Sequence, residues 1–468
     1  MEFANLTARR ALMTPTACAG GVFFYCPWME RDGMGRSWDG RGLALAALTG
    51  VLSGLASGLF LDALRRATEL QTNHRWLLFL LPPGGALIAW LYRGYGASAV
   101  GGNNLILDHI HESRKTSIPL RMFPLILITT VMTHLFGGSA GREGVAVQMG
   151  GAIASQIARF FRLDSAQTRL LLMCGISGGF ASIFGTPLAG TIFGMEMLAI
   201  GGISYEALIP CLIAALAGNQ AIHWLGIEHG HYAINSAIPA LGPDVVAKVA
   251  VAAVVFGLLS AAFSESIVLL EREWRALFKN PVVKTTVGGG LVIAATLALG
   301  TRAYNGLSLP LLSAPFTGQG VPTLAFLAKL GLTALTLSVG FKGGEVTPLF
   351  VIGATAGATF AGPLGLPVDF LAALGFVAVF AAAANTPLAC VAMGAELFGS
   401  SGIIYFGIAI FIAYTISGHR GIYRSQRLVT PKRLHQGPFE PGAALGSNRS
   451  ASVAYSTRLA TWWTNRKE

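Results

Sequence analysis

The chain has 468 residues, 53% hydrophobic and only 12% charged, with a mean hydropathy of +0.60 and a formal net charge of +11. A soluble domain carries about 25% charged residues, so this composition excludes a soluble enzyme or binding module and indicates an integral membrane protein. The basic excess sits beside apolar runs (Arg65 and Arg66, Arg114 and Lys115, Arg420 through Arg427), where positive-inside bias and anionic lipid place it; a nucleic-acid partner is not expected.

Residues 1–42 carry a short apolar patch interrupted by Pro27 and read as a cytoplasmic lead-in rather than a cleaved signal. Apolar segments follow near 43–64, 77–92, 123–136, 145–160, 168–183, 187–200, 205–225, 246–270, 283–303, 322–340, 346–361, 367–383, 387–398 and 402–417. A membrane span needs about 20 residues, and several of these are shorter. The short ones are punctuated by "FGTPLAG" (184–190), "GGEVTP" (343–348) and "ANTPLAC" (384–390). Broken helices at membrane depth are tolerated where they are buried in protein or line a cavity, and their use is to aim helix ends at a substrate. The five cysteines form neither a metal spacing nor a disulfide framework, and no cofactor is expected. Residues 426–468 turn polar and basic and read as a disordered tail, with Trp462 and Trp463 near its end.

An internal repeat organises the chain. "GTPLAGTIFGMEML" (185–198) and "NTPLACVAMGAELF" (385–398) align without a gap, matching Gly194 with Gly394 and Glu196 with Glu396. A shift of 202 lays "GREGVAVQMGGA" (141–152) on "GGEVTPLFVIGA" (343–354), pairing Gly141 with Gly343 and Glu143 with Glu345. Two homologous halves result, 43–225 and 246–425. Paired interrupted helices in corresponding places mark a transporter's binding site. The residues alone leave parallel and inverted repeats both open.

"GGSAGREGVAVQMGG" (137–151) places a carboxylate, Glu143, at the start of a helix after a glycine-rich loop. Such a helix end exposes unpaired N–H groups and the positive end of its dipole. A charged Glu143 can occupy that site as an anion would, and leave it once protonated, so one group can gate an anion and carry a proton. Glu345 adds a second carboxylate that can serve as proton carrier, cation ligand or helix cap. "DHIHE" (108–112) and "HGHY" (229–232) lack the spacing of a zinc motif and read as polar loops. His134 reads as a core histidine donating to a helix carbonyl. Ser177 in "GISGGF" reads as small-residue packing, which leaves an intramembrane hydrolase only as a remote alternative.

"GGSAGREGVAVQMGG", "ASIFGTPLAGTIFGMEM", "GGEVTPLF", "AAANTPLACVAMGAELF" and "GHRGIY" resemble, in order, the signature segments of the CLC chloride channel and transporter family. The resemblance covers about 43–425. It implies an all-α polytopic fold of two inverted-topology repeats whose broken helices meet at a central anion site. It also implies a homodimer with one anion path per subunit, Glu143 as gating glutamate, and Tyr423 at the place of the family's central anion-binding tyrosine.

The departures are informative. The family's Gly-Ser-Gly-Ile-Pro loop corresponds to "GGNNLIL" (101–107), which brings Asn103 and Asn104. Its Gly-Xaa-Phe-Xaa-Pro segment reads "GGEVTP", placing Glu345, Val346 and Thr347 near the pore, and Met197 stands where exchangers carry an inner proton glutamate. "GGNNLILDHIHESRKTSIPLRM" leading into "THLFGGSAGREG" is similar to the family's fluoride-exporting clade of fluoride/proton antiporters. Fluoride is small and strongly hydrated, and needs dense donors: the amides of Asn103 and Asn104, the hydroxyls of Thr347 and Tyr423, and helix N-termini. The expected substrates are fluoride or chloride and protons, with a chloride channel or chloride/proton exchanger as alternative. The expected location is the lipid bilayer of a bacterial inner membrane. Glu143, Glu345, Thr347 and Tyr423 are expected to converge on one polar cavity.

Overall fold

The computed structural model describes residues 39–112, 118–230, 232–432 and 442–446. Arg114, Lys115, His231, Trp462, Trp463 and the lead-in before residue 39 lie outside them. The first half contains α1 (Gly40–Asn73), α2 (Leu81–Arg93), α3 (Asn103–Glu112), α4 (Met122–Leu135), α5 (Glu143–Phe160), α6 (Ser165–Phe184), α7 (Pro187–Glu196) and α8 (Leu208–Trp224). The second contains α9 (Pro243–Leu277), α10 (Pro281–Ala298), α11 (Leu309–Ser313), α12 (Ala325–Ser338), α13 (Val346–Leu364), α14 (Val368–Ala384), α15 (Pro387–Phe398) and α16 (Ile403–Ser417). Among the described residues, seven helical stretches are long and apolar enough to cross a membrane. Others, such as α5, α7 and α14, are largely enclosed by protein, and α14 is buried at every residue after Val368, as a helix apolar all round must be.

Two sequence expectations are corrected. "DHIHE" is not a loop but the end of α3, whose Ile106, Leu107 and Ile110 are buried; His109 Nδ1 faces the Leu105 carbonyl one turn back. Residues 426–432 and 442–446, expected to be disordered, are packed: Arg427–Leu428 pairs in parallel with Ala199–Ile200, and Leu428 and Leu445 are buried against Ile200.

Local signals fix the helix ends. Asp164 and Gln167 form a reciprocal capping box that starts α6, and Gly185, in the left-handed region at φ 71°, ends it. Between helices, glycine permits backbone contact. A Cβ on Gly150 of α5 would lie 2.1 Å from the Gly175 carbonyl oxygen of α6, and one on Gly353 of α13 would lie 2.0 Å from that of Gly375 in α14. The same small-residue crossing is thus built in each half.

Equivalent parts also meet each other directly. The Glu196 carboxylate, at the end of α7, accepts from the Leu388 and Ala389 amides at the start of α15 (3.1 and 2.8 Å). Glu396, in the last turn of α15, accepts from the Leu188 and Ala189 amides at the start of α7 (2.9 and 2.8 Å). The end of each helix therefore lies at the beginning of the other, so α7 and α15 run antiparallel. Equivalent helices in opposite directions, exchanging identical contacts, mean a two-fold relation between the halves. The repeats are inverted.

Gly353→Val is expected to abolish the monodisperse folded protein in detergent, because overpacking against backbone costs about 1–3 kcal/mol or more. Gly362→Ala, whose Cβ would meet nothing within 4 Å, is expected to retain it; size-exclusion chromatography and thermal unfolding check both.

Candidate functional site

The loop before α5 is anchored residue by residue. Asn305 Nδ2 donates to the Gly137 carbonyl (2.5 Å) and the Gly306 amide to that of Gly138 (3.1 Å). The Ser139 amide donates to Thr336 Oγ1 (3.3 Å), and His134 sets its two ring nitrogens against the carbonyls of Thr130 and Ala140 (2.9 and 3.0 Å). Gly141 and Gly344 then exchange both backbone hydrogen bonds, 2.6 and 2.8 Å, in an antiparallel bridge between the two halves.

This bridge brings two helix N-termini face to face. A Cβ on Gly344 would stand 3.0–3.2 Å from the backbone nitrogens of Gly144, Glu143 and Arg142, and one on Gly141 would stand 2.8 Å from Pro348 Cδ. Glycine at both positions is what lets the first turn of α5 approach that of α13. Glu143, 1% exposed, fills the gap. Its Oε2 accepts from the Thr347 amide (2.9 Å) and the Arg142 amide (3.1 Å), and its Oε1 accepts from the Thr347 hydroxyl. The carboxylate therefore sits on the amide end of α13, where a free anion would sit. Arg142 Nε stands 3.5 Å from Oε1. A cavity opens beside this contact, lined by Arg142, Glu143, Thr347, Phe350, His229 and Tyr232. The last two belong to the segment joining the halves, and sequence reading missed them; their only signal was a polar and aromatic cluster in a connector.

The structure corrects the equivalence of Glu143 and Glu345. The bridge matches Gly141 with Gly344, a shift of 203 rather than 202. Arg142 and Glu345 are the residues preceding the two helices, while Glu143 and Val346 are the first residues within them. One residue on a helix is a turn of about 100°, so Glu345 leaves on a different side from Glu143. It does not line the cavity. It lies within electrostatic range of Arg424 and Glu271, which form an ion pair at 2.7 Å.

Of the remaining sequence candidates, Val346 is buried in the first turn of α13. Tyr423 is buried, edge-on to Phe193, and within electrostatic range of both Glu345 and Glu143, but outside the cavity lining. Asn104 Oδ1 accepts from the Ser425 amide (3.0 Å) and so holds the segment that carries Tyr423. Asn103 abuts the first turn of α5, its Nδ2 3.0 Å from where a Cβ on Gly144 would be, and its buried Oδ1 has no protein partner. Glu143 and Thr347 meet directly and line the cavity, whereas Asn103, Asn104, Tyr423, Val346 and Glu345 are not among its lining residues, Asn103 standing instead against the first turn of α5. Glu196, one residue before Met197, is committed to capping α15.

Residues 84–418 match the family model described as voltage gated chloride channel. The chain belongs to this family. A "Chloride/fluoride channel protein" of Pseudomonas syringae pv. tomato is 46% identical over 409 residues, 85% of this chain and 89% of that protein. The "H(+)/Cl(-) exchange transporter ClcA" of Vibrio cholerae serotype O1 is 26% identical over 390 residues, 76% of this chain and 81% of that protein. Among solved structures, that of a CLC-type fluoride/proton antiporter superposes with a TM-score of 0.81 at 37% identity, covering 83% of this chain and 98% of the other. A slow cyanobacterial Cl-/H+ antiporter, at 20% identity and a TM-score of 0.69, shares the fold. Family members are ion channels and exchange transporters, which sets aside the hydrolase alternative. This CLC protein is an integral membrane anion-transport protein, and its fold is the CLC fold.

In this CLC chain, Gly344→Ala is expected to lower anion flux at least about tenfold while leaving the folded protein intact, since a Cβ displaces the amide ends by tenths of an ångström where one donor is worth about 1–3 kcal/mol. Flux from proteoliposomes together with size-exclusion chromatography checks this.

Proposed function

We propose that the protein is a fluoride/proton antiporter that exports fluoride. The observation that supports this reading is the Glu143 carboxylate resting on the Thr347 amide and hydroxyl, in a chain similar to a CLC-type fluoride/proton antiporter. While Glu143 is ionised it is the anion at the end of α13 and closes the path. Protonation neutralises it and weakens its hold on these donors. Thr347 is then released to an incoming fluoride, and the departing carboxylic acid carries a proton. Each exchange of occupant thus links one anion to one acid group.

Selectivity follows from donor density. Fluoride gives up a tight hydration shell, and the groups offered in return are the Asn103 amide, the Thr347 hydroxyl, the first-turn amides of α5 and α13, and the Tyr423 hydroxyl further along. Asn104 serves this set by fixing the Tyr423 segment. Glu345, on the far side of the crossing beside Arg424 and Glu271, is the second proton carrier. The bacterial relatives support an inner-membrane location, and the family resemblance supports a homodimer with one path per subunit. The name of the Pseudomonas relative favours one second reading, a passive chloride and fluoride channel with the same anion site.

Proteoliposomes loaded with fluoride or chloride, with both electrodes recording, separate the readings: antiport moves protons against the fluoride gradient and a channel does not. Glu143→Gln is expected to abolish proton movement, and retained coupling would remove Glu143 from the mechanism. Asn103→Ser is expected to lower the preference for fluoride over chloride by about tenfold to a hundredfold, the worth of one well-placed donor.

A further inference from the structure

Lys329, on α12, is a cation buried without a counter-ion. Its side chain is 0% exposed, and among the described residues no carboxylate lies within ion-pair distance of it. Its ammonium donates instead to four oxygens: Ser139 Oγ (3.0 Å), the Tyr304 carbonyl (3.1 Å), the Gly306 carbonyl (2.8 Å) and Ser308 Oγ (2.9 Å). Both serine hydroxyls have acceptors other than the amine for their own hydrogens: Ser139 has the Tyr304 carbonyl (2.9 Å) and Thr333 Oγ1 (2.8 Å), and Ser308 has the Asn305 carbonyl (3.3 Å). All four oxygens therefore face Lys329 as acceptors. The ammonium brings three N–H groups to these four acceptors, so two oxygens share one hydrogen, whereas a neutral amine would have one hydrogen fewer and would turn a lone pair toward an oxygen. The shell is that of a bound monovalent cation with the lysine as its occupant.

Isolated buried charge is expensive unless its surroundings are organised around it. Here the organised element is the loop before Glu143. Ser139 lies four residues before Glu143, and Gly306, which accepts from Lys329, donates through its amide to Gly138. We propose that Lys329 is a positioning residue for the exchange cycle: its ammonium clamps the 137–141 loop to the 304–308 segment, so that Glu143 returns to Thr347 after each proton transfer instead of leaving the path open. This rests on the antiport reading of Glu143.

The test uses the full chain in proteoliposomes loaded with fluoride, recording fluoride efflux and proton uptake together. The unaltered protein is measured first, and absence of fluoride-driven proton movement there would overturn the antiport reading itself. Given coupling in the unaltered protein, Lys329→Met is expected to leak fluoride, with protons moved per fluoride falling about tenfold, the worth of one charge-assisted hydrogen bond. Ser139→Ala keeps the lysine and its other three partners but cuts its direct bond to the loop, along with the Ser139 contacts to the Tyr304 carbonyl and Thr333 Oγ1, and carries the test if Lys329→Met does not fold. Ser308→Ala removes one matched bond on the far side of the ammonium. Uncoupling by Ser139→Ala with coupling retained in Ser308→Ala is the expected result. Unchanged proton-per-fluoride ratios in Ser139→Ala, or equal changes in both serine variants, would overturn the clamp.

Discussion

Two helix ends pointed at each other inside a membrane must find a negative charge, and the structure is arranged around that requirement. No water is at hand in the hydrocarbon region to satisfy the first-turn amides of α5 and α13, and the positive potentials of the two amide ends add where they meet. Gly141 and Gly344 bring the two ends together by sharing a backbone bridge, and the side chain of Glu143 is the resident charge. The small-residue crossings of α5 with α6 and of α13 with α14 hold both helices at fixed depth behind the junction. The site is therefore poised between a tethered anion and a free one, with the same donors serving either.

Much of this was legible in the sequence, and the parts that were not fail for physical reasons. Glycines flanking a carboxylate in an apolar chain announce a helix end with work to do, and the Thr-Pro-Leu-Ala pair at a spacing of 200 announces the repeat. The second pairing slipped by one residue because apolar runs tolerate a shift without a mismatch, and Gly-Arg-Glu on Gly-Gly-Glu, which matches at two places, looks better than Gly-Arg-Glu on Gly-Glu-Val, which matches at one. Only the backbone bridge decides between them. Helix α3 was hidden by its own polar face: Asp108, His109, His111 and Glu112 read as loop, while the buried stripe of Ile106, Leu107 and Ile110 is too short to stand out. Lys329 gave no signal, since a lone lysine in an apolar helix ordinarily reaches toward the interface. Its partners are four residues scattered from 139 to 308, and no local pattern records them.

The halves are alike at the bridge but unlike at its surroundings. The segment between α8 and α9 joins the halves, and its His229 and Tyr232 line the Glu143 cavity. Asp369 holds it there, its Oδ2 accepting from the Asn235 and Ser236 amides at 2.8 Å each. Tyr232 packs among Phe316, Phe376 and Phe398. Away from that cavity's lining, Glu345 stands within electrostatic range of the Arg424–Glu271 pair. An inverted repeat by itself has no preferred direction; the connector at the Glu143 cavity and the ion pair near Glu345 make the surroundings of the two helix starts chemically different.

The exchange of Glu196 and Glu396 between α7 and α15 has a consequence for origins. Each half supplies the carboxylate that the other half's helix needs, at the same place and by the same residue. A surface with that property is complementary to a second copy of itself turned over. An ancestral chain of half this length, inserted in both orientations, would already have satisfied its own helix ends by pairing with its inverted twin. Duplication and fusion would then have fixed in one polypeptide a contact that two separate molecules could make unaided.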